Sequence, residues 1–174
     1  TINGNVVTLP VGMTLDPGGI GKGIAADVMA TAAISRGALG ALVEMGGDLR
    51  ITGTPPDGDM WRIGIEDPYV ETRTISNVAL VDGAVATSST LKRTWEKDGV
   101  AVNHLIDVHT GSSMDTSVAT VSVIATSAGV AEVLAKCGFT RSDFLRWIPT
   151  VGAAALVTYR DGTTAQSANW EDYS

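Results

Sequence analysis

Short apolar runs of strand length dominate the chain, interrupted by turn residues and by only a few stretches with helical spacing. Val6 to Leu9 reads as a first strand. After Pro17-Gly18-Gly19, apolar side chains recur every four residues at Ile20, Ile24, Val28 and Ala32, which predicts a helix with one core-facing stripe, closed by Gly37 after Arg36. ALGALVEM reads as a buried strand broken by Gly46-Gly47, with DLRITG as its continuation or partner. Pro55-Pro56-Asp57-Gly58 is a turn into the strand WRIGIE, which a second turn at Asp67-Pro68 ends. TISNVALVDGAVATS predicts a hairpin turning at Asp82-Gly83. NHLIDV suggests a short strand, HTGSSMDTS a polar loop, and VATVSVIAT a strong strand. Ser127 stands where a cap belongs, before the helical segment AGVAEVLAKCGF. A short helix around Ser142 to Trp147 and a closing hairpin about Arg160-Asp161-Gly162 complete the pattern. The expectation is one strand-rich α+β domain over residues 1–174, with a mixed sheet and a few packed helices.

Composition narrows the function classes. The 174 residues suffice for one core. Lys and Arg number 12 against 19 Asp and Glu, a formal charge of −7 that argues against a nucleic-acid surface. Aromatic residues are only 5%, so Val, Ile, Leu and Ala must build the core. The single Cys137 excludes an intrachain disulfide and a multi-cysteine zinc site, and two histidines, His104 and His109, exclude a His-rich centre. No apolar run approaches the length of a membrane span, and the first ten residues lack the features of a secretory signal; neither absence assigns a compartment.

The chemistry-bearing stretch is Asp16-Pro17-Gly18-Gly19-Ile20-Gly21-Lys22-Gly23. Four glycines around one lysine at a helix start let bare backbone, free N–H groups and the positive helix end approach a phosphate. A Walker A loop does not fit, because its first Gly would fall on Asp16 and its Ser/Thr on Gly23. Gly21-Lys22-Gly23-Ile24-Ala25-Ala26 matches G-x-G-x-x-A, with Glu44 at about the expected distance, but no apolar strand runs into these glycines. The plain alternative is a glycine turn that only packs tightly. The loop TGTPPDGDMW lacks EF-hand spacing. Trp61, Trp95, Trp147 and Trp170 read as core or rim, and His109 and Met114 have no defensible motif role.

Several blocks resemble the ApbE-type FAD:protein FMN transferases. LDPGGIGKGIAADVMA is similar to that family's L-D-x-G-G-I-A-K-G-x-A-x-D segment. ALVEMGGDLRITG resembles its strand ending in G-G-D, WRIGIEDP its W-x-(V/I)-G-I-x-x-P strand, AVATSS its A-x-A-T-S-G turn, and NHLIDVHTG its H-(I/L)-I-D-P-x-T-G motif. VATVSVIATSAGVAEVLAKCGF is similar to its V-T-V strand and metal-bearing helix, and DGTTAQSANWEDY to its closing D-G-x-x-x-x-S-x-G-F. The blocks keep the family's order.

The resemblance implies an enzyme that splits FAD, attaches FMN through a phosphoester to a Thr or Ser of a partner flavoprotein, and releases AMP with the help of magnesium. It implies a diphosphate cradle at Gly18, Gly19, Ile20, Gly21, Lys22 and Gly23, with Lys22 beside the phosphates and the Gly21 carbonyl on the metal. Asp27 occupies the family's acidic position in the helix. Thr87 and Ser88 would bind the flavin or its phosphates, Asp107 would hold the neighbouring loop or assist the metal, and Thr110 and Gly111 would shape the flavin pocket. His104 becomes the base for the acceptor hydroxyl.

Departures from the family pattern shape the rival readings. Its metal helix carries Asp and, four residues on, Thr or Asp; here these are Glu132 and Lys136. Glu132 can ligate magnesium, whereas the Lys136 ammonium repels it and can take its place. The pair is also an ordinary i,i+4 ion pair on a helix face. Val108 and Ser89 replace a proline and a glycine. The family's N-terminal part has no counterpart before Thr1, so the chain is expected to be a fragment or to meet a second chain that supplies it, with exposed apolar surface as the sign. Family members are often extracytoplasmic and lipid-anchored. The rivals are a non-catalytic FAD-binding protein or scaffold with a degenerate metal site, and an NAD-dependent oxidoreductase.

Overall fold

The segment Val118–Ala125 is buried along its whole length, as a strand covered on both faces must be. It lies inside the main sheet of the computed structural model, which describes residues 1–174. The elements are β1 (Ile2–Asn3), β2 (Val6–Val7), α1 (Gly21–Ser35), β3 (Gly40–Met45), β4 (Asp48–Gly53), β5 (Trp61–Glu66), β6 (Thr74–Leu80), β7 (Gly83–Ser89), β8 (Thr94–Lys97), β9 (Val100–Asn103), β10 (Val118–Ala125), α2 (Ala128–Cys137), α3 (Phe144–Trp147), β11 (Ala154–Tyr159) and β12 (Thr164–Gln166). Six strands form one sheet in the order β12-β11-β10-β7-β4-β3. The strand-rich α+β class holds, but every pairing in that sheet is antiparallel, so it is not mixed.

Side-chain alternation along the central strands sorts the core into two layers. Ala84, Ala86, Val121, Val123, Ala155 and Val157 face the helices, where they meet Ala26, Ala128, Ala131 and Ala135. Val85, Ile124 and Leu156 face the other way, onto Ile63, Ile65, Val78 and Leu80 of the separate β5–β6 hairpin and onto Trp170. The Trp170 indole N–H donates to Ser76 Oγ at 3.1 Å and closes that layer.

Four expectations change. No hairpin turns at Asp82-Gly83: β6 pairs with β5 whereas β7 pairs with β4 and β10, so the chain passes there from one sheet to another. Arg50 holds this crossing by donating to the Gly83 carbonyl at 2.8 Å and pairing with Asp82 at 3.0 Å. NHLIDV is not a strand either. Its extended part ends at Asn103, the last residue of a β8–β9 hairpin that turns through Asp98 (φ 53°) and Gly99 (φ 77°), a left-handed pair that suits a tight hairpin turn. Val6–Val7 pairs only with Ile2–Asn3 and lies outside the main sheet.

The fourth change concerns α1. The stripe of Ile20, Ile24 and Val28 is exposed, and the helix buries Gly23, Ala26 and Ala30 instead. Gly23 on this side is pressed against α2, where a larger side chain would hold the two backbones apart.

Candidate functional site

Helices α1 and α2 meet at their N-terminal turns and cap each other. The first N–H groups of a helix have no intrahelical acceptor. Neither the cap position of α1, Ile20, nor its first turn supplies an acid. Glu132 of α2 fills the gap, accepting from the Gly23 N–H at 2.8 Å through Oε2. In return Asp27 of α1 accepts from the N–H groups of Ala128 and Gly129 at 2.9 and 3.0 Å. The exchange needs near backbone contact. A Cβ on Gly23 would lie 2.6 Å from Gly129 N and closer still to the Ala128 carbonyl.

Four charges collect beside this crossing. The Lys22 ammonium donates to Asp48 and, at 2.9 Å, to Glu132 Oε1. The Lys136 ammonium sits 3.5 Å from that same Oε1 and donates to the Glu132 carbonyl at 3.1 Å. Its stem passes Gly19, where an added Cβ would stand 3.5 Å from Lys136 Cε. The layering of charge is decisive. Glu132 and Asp48 are 1% and 2% exposed, whereas the side chains of Lys22 and Lys136 are 32% and 31% exposed. The carboxylates lie beneath and the ammonium groups form the rim, so an incoming ligand meets positive charge.

Protonation follows from this layering. Burial alone would lower the Lys22 pKa, but its hydrogen bonds to Asp48 and Glu132 prevail and raise it. For Glu132, burial pulls upward and is outweighed by the Lys22 and Gly23 hydrogen bonds, so its pKa falls. Burial pushes Asp48 up despite Lys22. Burial and the charge of Lys22 push Lys136 down against Glu132.

The glycine stretch divides by role. Gly18 N donates to Asp16 Oδ1, Gly21 N to the Pro17 carbonyl, and Gly23 N to Glu132. Ile20 N also goes to Pro17 O. The main-chain N–H groups of Gly19 and Lys22 have no acceptor in the protein. Only these two are free to meet an anion at the positive end of α1.

The remaining expected residues sit around this cluster or away from it. His104 is half-buried, with Nδ1 buried and unpaired. Burial lowers its pKa, and the charges of Arg93, Lys136 and Lys22 add to the effect, which places it within electrostatic reach of the lysine rim. Thr87 and Ser88 point to opposite faces of β7. Thr87 Oγ1 is paired with Ser122 Oγ at 2.8 Å on the face of the β5–β6 layer, and Ser88 shares the helix face with Ala84 and Ala86. Asp107, Thr110 and Gly111 build a turn: Asp107 Oδ1 accepts from His109 N, the Asp107 carbonyl from Gly111 N, and Thr110 Oγ1 from Ser112 N. No hydrogen bond or ion pair joins them to Lys22.

Two residue groups escaped the sequence reading. Asp48 opens β4 directly after Gly46-Gly47, and an acid at the buried first position of a strand is the signal that marks it. Asn103 and Ser113 staple the two ends of the His104 loop. Asn103 Nδ2 donates to the Met114 carbonyl and Asn103 Oδ1 accepts from Leu105 N, while Ser113 Oγ accepts from Asn103 N and donates to Asn103 O. A cleft of about 640 Å³ near Phe139, Arg141 and Phe144 contains none of the expected site residues.

The donor set does not suit a divalent ion. Both oxygens of Glu132 are taken, Oε1 by the ammonium groups and Oε2 by a backbone N–H. Asp48 is held by Lys22, and Lys136 stands one turn from Glu132, where a second ligand would be needed. No group of three acidic, His or Cys side chains converges anywhere in the chain.

Residues 2–155 match the model of the ApbE family. The chain belongs to the ApbE family. Among its relatives, the FAD:protein FMN transferase of Vibrio cholerae is 36% identical over 137 residues, covering 78% of this chain and 41% of the relative. That of Treponema pallidum is 34% identical, covering 92% and 48%. The crystal structure of the ApbE protein of Thermotoga maritima superposes with a TM-score of 0.83 at 33% identity, over 91% of this chain and 53% of that one. The chain therefore spans about half the length of the ApbE relatives it matches.

Proposed function

We propose that this chain carries the diphosphate-binding half of a flavin transferase, with FAD as substrate and a flavoprotein as acceptor. The observation that carries the reading is the lysine rim at the N-terminal end of α1, where two partly exposed ammonium groups lie over buried carboxylates and two main-chain N–H groups lack a protein acceptor. That arrangement suits a diphosphate, and FAD presents one between its two halves. In the reaction, a Thr or Ser hydroxyl oxygen of the acceptor bonds to the phosphorus on the FMN side. The bond from that phosphorus to the bridging oxygen breaks, and AMP leaves with the bridging oxygen. His104 accepts the hydroxyl proton, and its lowered pKa keeps the imidazole neutral for that step at neutral pH. Lys22 and the N–H groups of Gly19 and Lys22 bind the phosphates and offset the charge that builds on the leaving oxygen.

The test is to incubate the protein with FAD and a Thr-bearing flavoprotein, then measure AMP release and covalent flavin on the acceptor. Both are expected in equal amounts, and FAD that binds without yielding either would refute the transferase reading. That result would favour the second reading, a flavin-binding protein without turnover, which the engaged carboxylate of Glu132 supports.

The exposed apolar face fits a docking role for the rest of the fold. Ile24, Val28 and Met29 of α1 and Val130 and Val133 of α2 are 40% to 62% exposed, and Ile24 lies against Gly129 so that the two helices present one surface. We infer that the other half of the ApbE fold, in the same polypeptide or as a second chain, covers this face. Co-purification with that half, lost on Val28→Asp, is the expected result; equal recovery with the substitution would contradict it.

A further inference from the structure

We propose that the Lys136 ammonium, together with Lys22, is the cation of this site, and that the diphosphate is bound here without a divalent ion. The inference rests on the flavin reading above and adds to it the identity of the positive charge. The two ammonium groups share one oxygen, Glu132 Oε1, and so stand side by side along the rim. Each is about one-third exposed while its counter-charge is buried, leaving donors of both groups open to a ligand. Lys136 reaches this place because its stem lies along Gly19, whose own N–H has no protein acceptor. The Lys136 stem thus passes a glycine loop whose Gly19 N–H is a further donor without a protein acceptor, and phosphate oxygens accept from both kinds of donor. A divalent ion would have to displace Lys22 or the Gly23 N–H from Glu132 and then stand against two like charges.

The experiment is calorimetric titration of the protein with FAD in EDTA and in magnesium, and with inorganic pyrophosphate in EDTA alone, because magnesium complexes that anion in solution. The affinity for FAD is expected to agree within about twofold between the two conditions, which is a few tenths of a kcal/mol. Lys136→Met keeps the apolar stem on Gly19 and removes the charge. It is expected to weaken both ligands about tenfold or more, the loss typical of a charged hydrogen bond, with the melting temperature unchanged. Lys97→Met, on β8, is expected to bind as the parent does. Manganese added in place of magnesium is expected to give the spin-resonance signal of the free aquo ion, with and without FAD. FAD that binds only with magnesium, or a Lys136→Met protein that binds normally, would overturn this inference and leave the flavin reading standing. A protein that binds no FAD in either buffer would overturn the flavin reading, and this inference with it.

Discussion

Replacing Gly23 by Ala separates two roles that one glycine motif can have. In an isolated helix the change is favourable by about 1 kcal/mol, because glycine weakens helix interiors. Here the added methyl would fall 2.6 Å from Gly129 N and closer to the Ala128 carbonyl, and both are backbone atoms that cannot rotate away. The helices must move apart, with overpacking costing about 1–3 kcal/mol. The movement also stretches the Glu132 bond to Gly23 and the two Asp27 bonds to α2, each worth about 1.5–3 kcal/mol when intact. With partial relaxation the net loss is about 2–4 kcal/mol, a fall of roughly 1–2 M in the urea midpoint at a typical slope. Gly19→Ala is the internal comparison. Its Cβ would meet Lys136 Cε at 3.5 Å, an ordinary contact, so stability should change by less than about 0.5 kcal/mol. Urea unfolding followed by far-ultraviolet circular dichroism measures both. A Gly23→Ala protein as stable as the parent, or more so, would refute the close-crossing argument, and an equal loss in Gly19→Ala would refute the division of roles.

Other expectations follow from the same geometry. Glu132→Gln leaves Lys22 and Lys136 short of their shared counter-charge and should cost about 2–3 kcal/mol in urea unfolding, below a fully buried pair because both ammonium groups are partly exposed. His104→Gln should lower AMP release by about 10²–10⁴-fold while FAD affinity holds within about twofold. Because His104 is active when neutral and its pKa lies below the usual 6.5, the acid limb of the rate profile should fall below pH 6.5 and vanish in that variant. The Asp67 carboxylate accepts from Tyr69 N and Val70 N and pairs with Arg73, which holds its pKa below the usual 3.8. Its contribution to stability is therefore present above pH 3.8 and lost as pH falls through the depressed value; acid unfolding of Asp67→Asn should lack that component.

The strands were legible wherever one rule decided them. WRIGIE alternates and is half-buried, VATVSVIA is apolar throughout and is buried on both faces, and Ser127 caps α2 by accepting from Val130 N. The α1 stripe misled because apolar spacing reports a face that avoids water without saying what covers it. Ile24 and Val28 look outward, and the inner face is written in Gly23, Ala26 and Ala30, which hydropathy scarcely marks. Asp82-Gly83 has hairpin chemistry, yet β7 is claimed by β4 and β10, so tertiary pairing overrides the local turn. At the site, Lys22, Glu132 and Lys136 were within reach of motif and spacing. Their joint geometry was not, since Asp48 meets Lys22 across 26 residues, Glu132 meets Lys22 across 110, and Asp27 meets the Ala128 N–H across 101.

The proposed seat of the FAD diphosphate is the open end of α1, under its lysine rim. Amide proton–nitrogen spectra recorded during FAD titration test it most directly. The Gly19 and Lys22 amides, the two without a protein acceptor, are expected to shift most, while amides lining the cleft near Phe139 and Phe144 stay in place. Unmoved Gly19 and Lys22 signals under saturating FAD, or the largest shifts at that distant cleft, would contradict it.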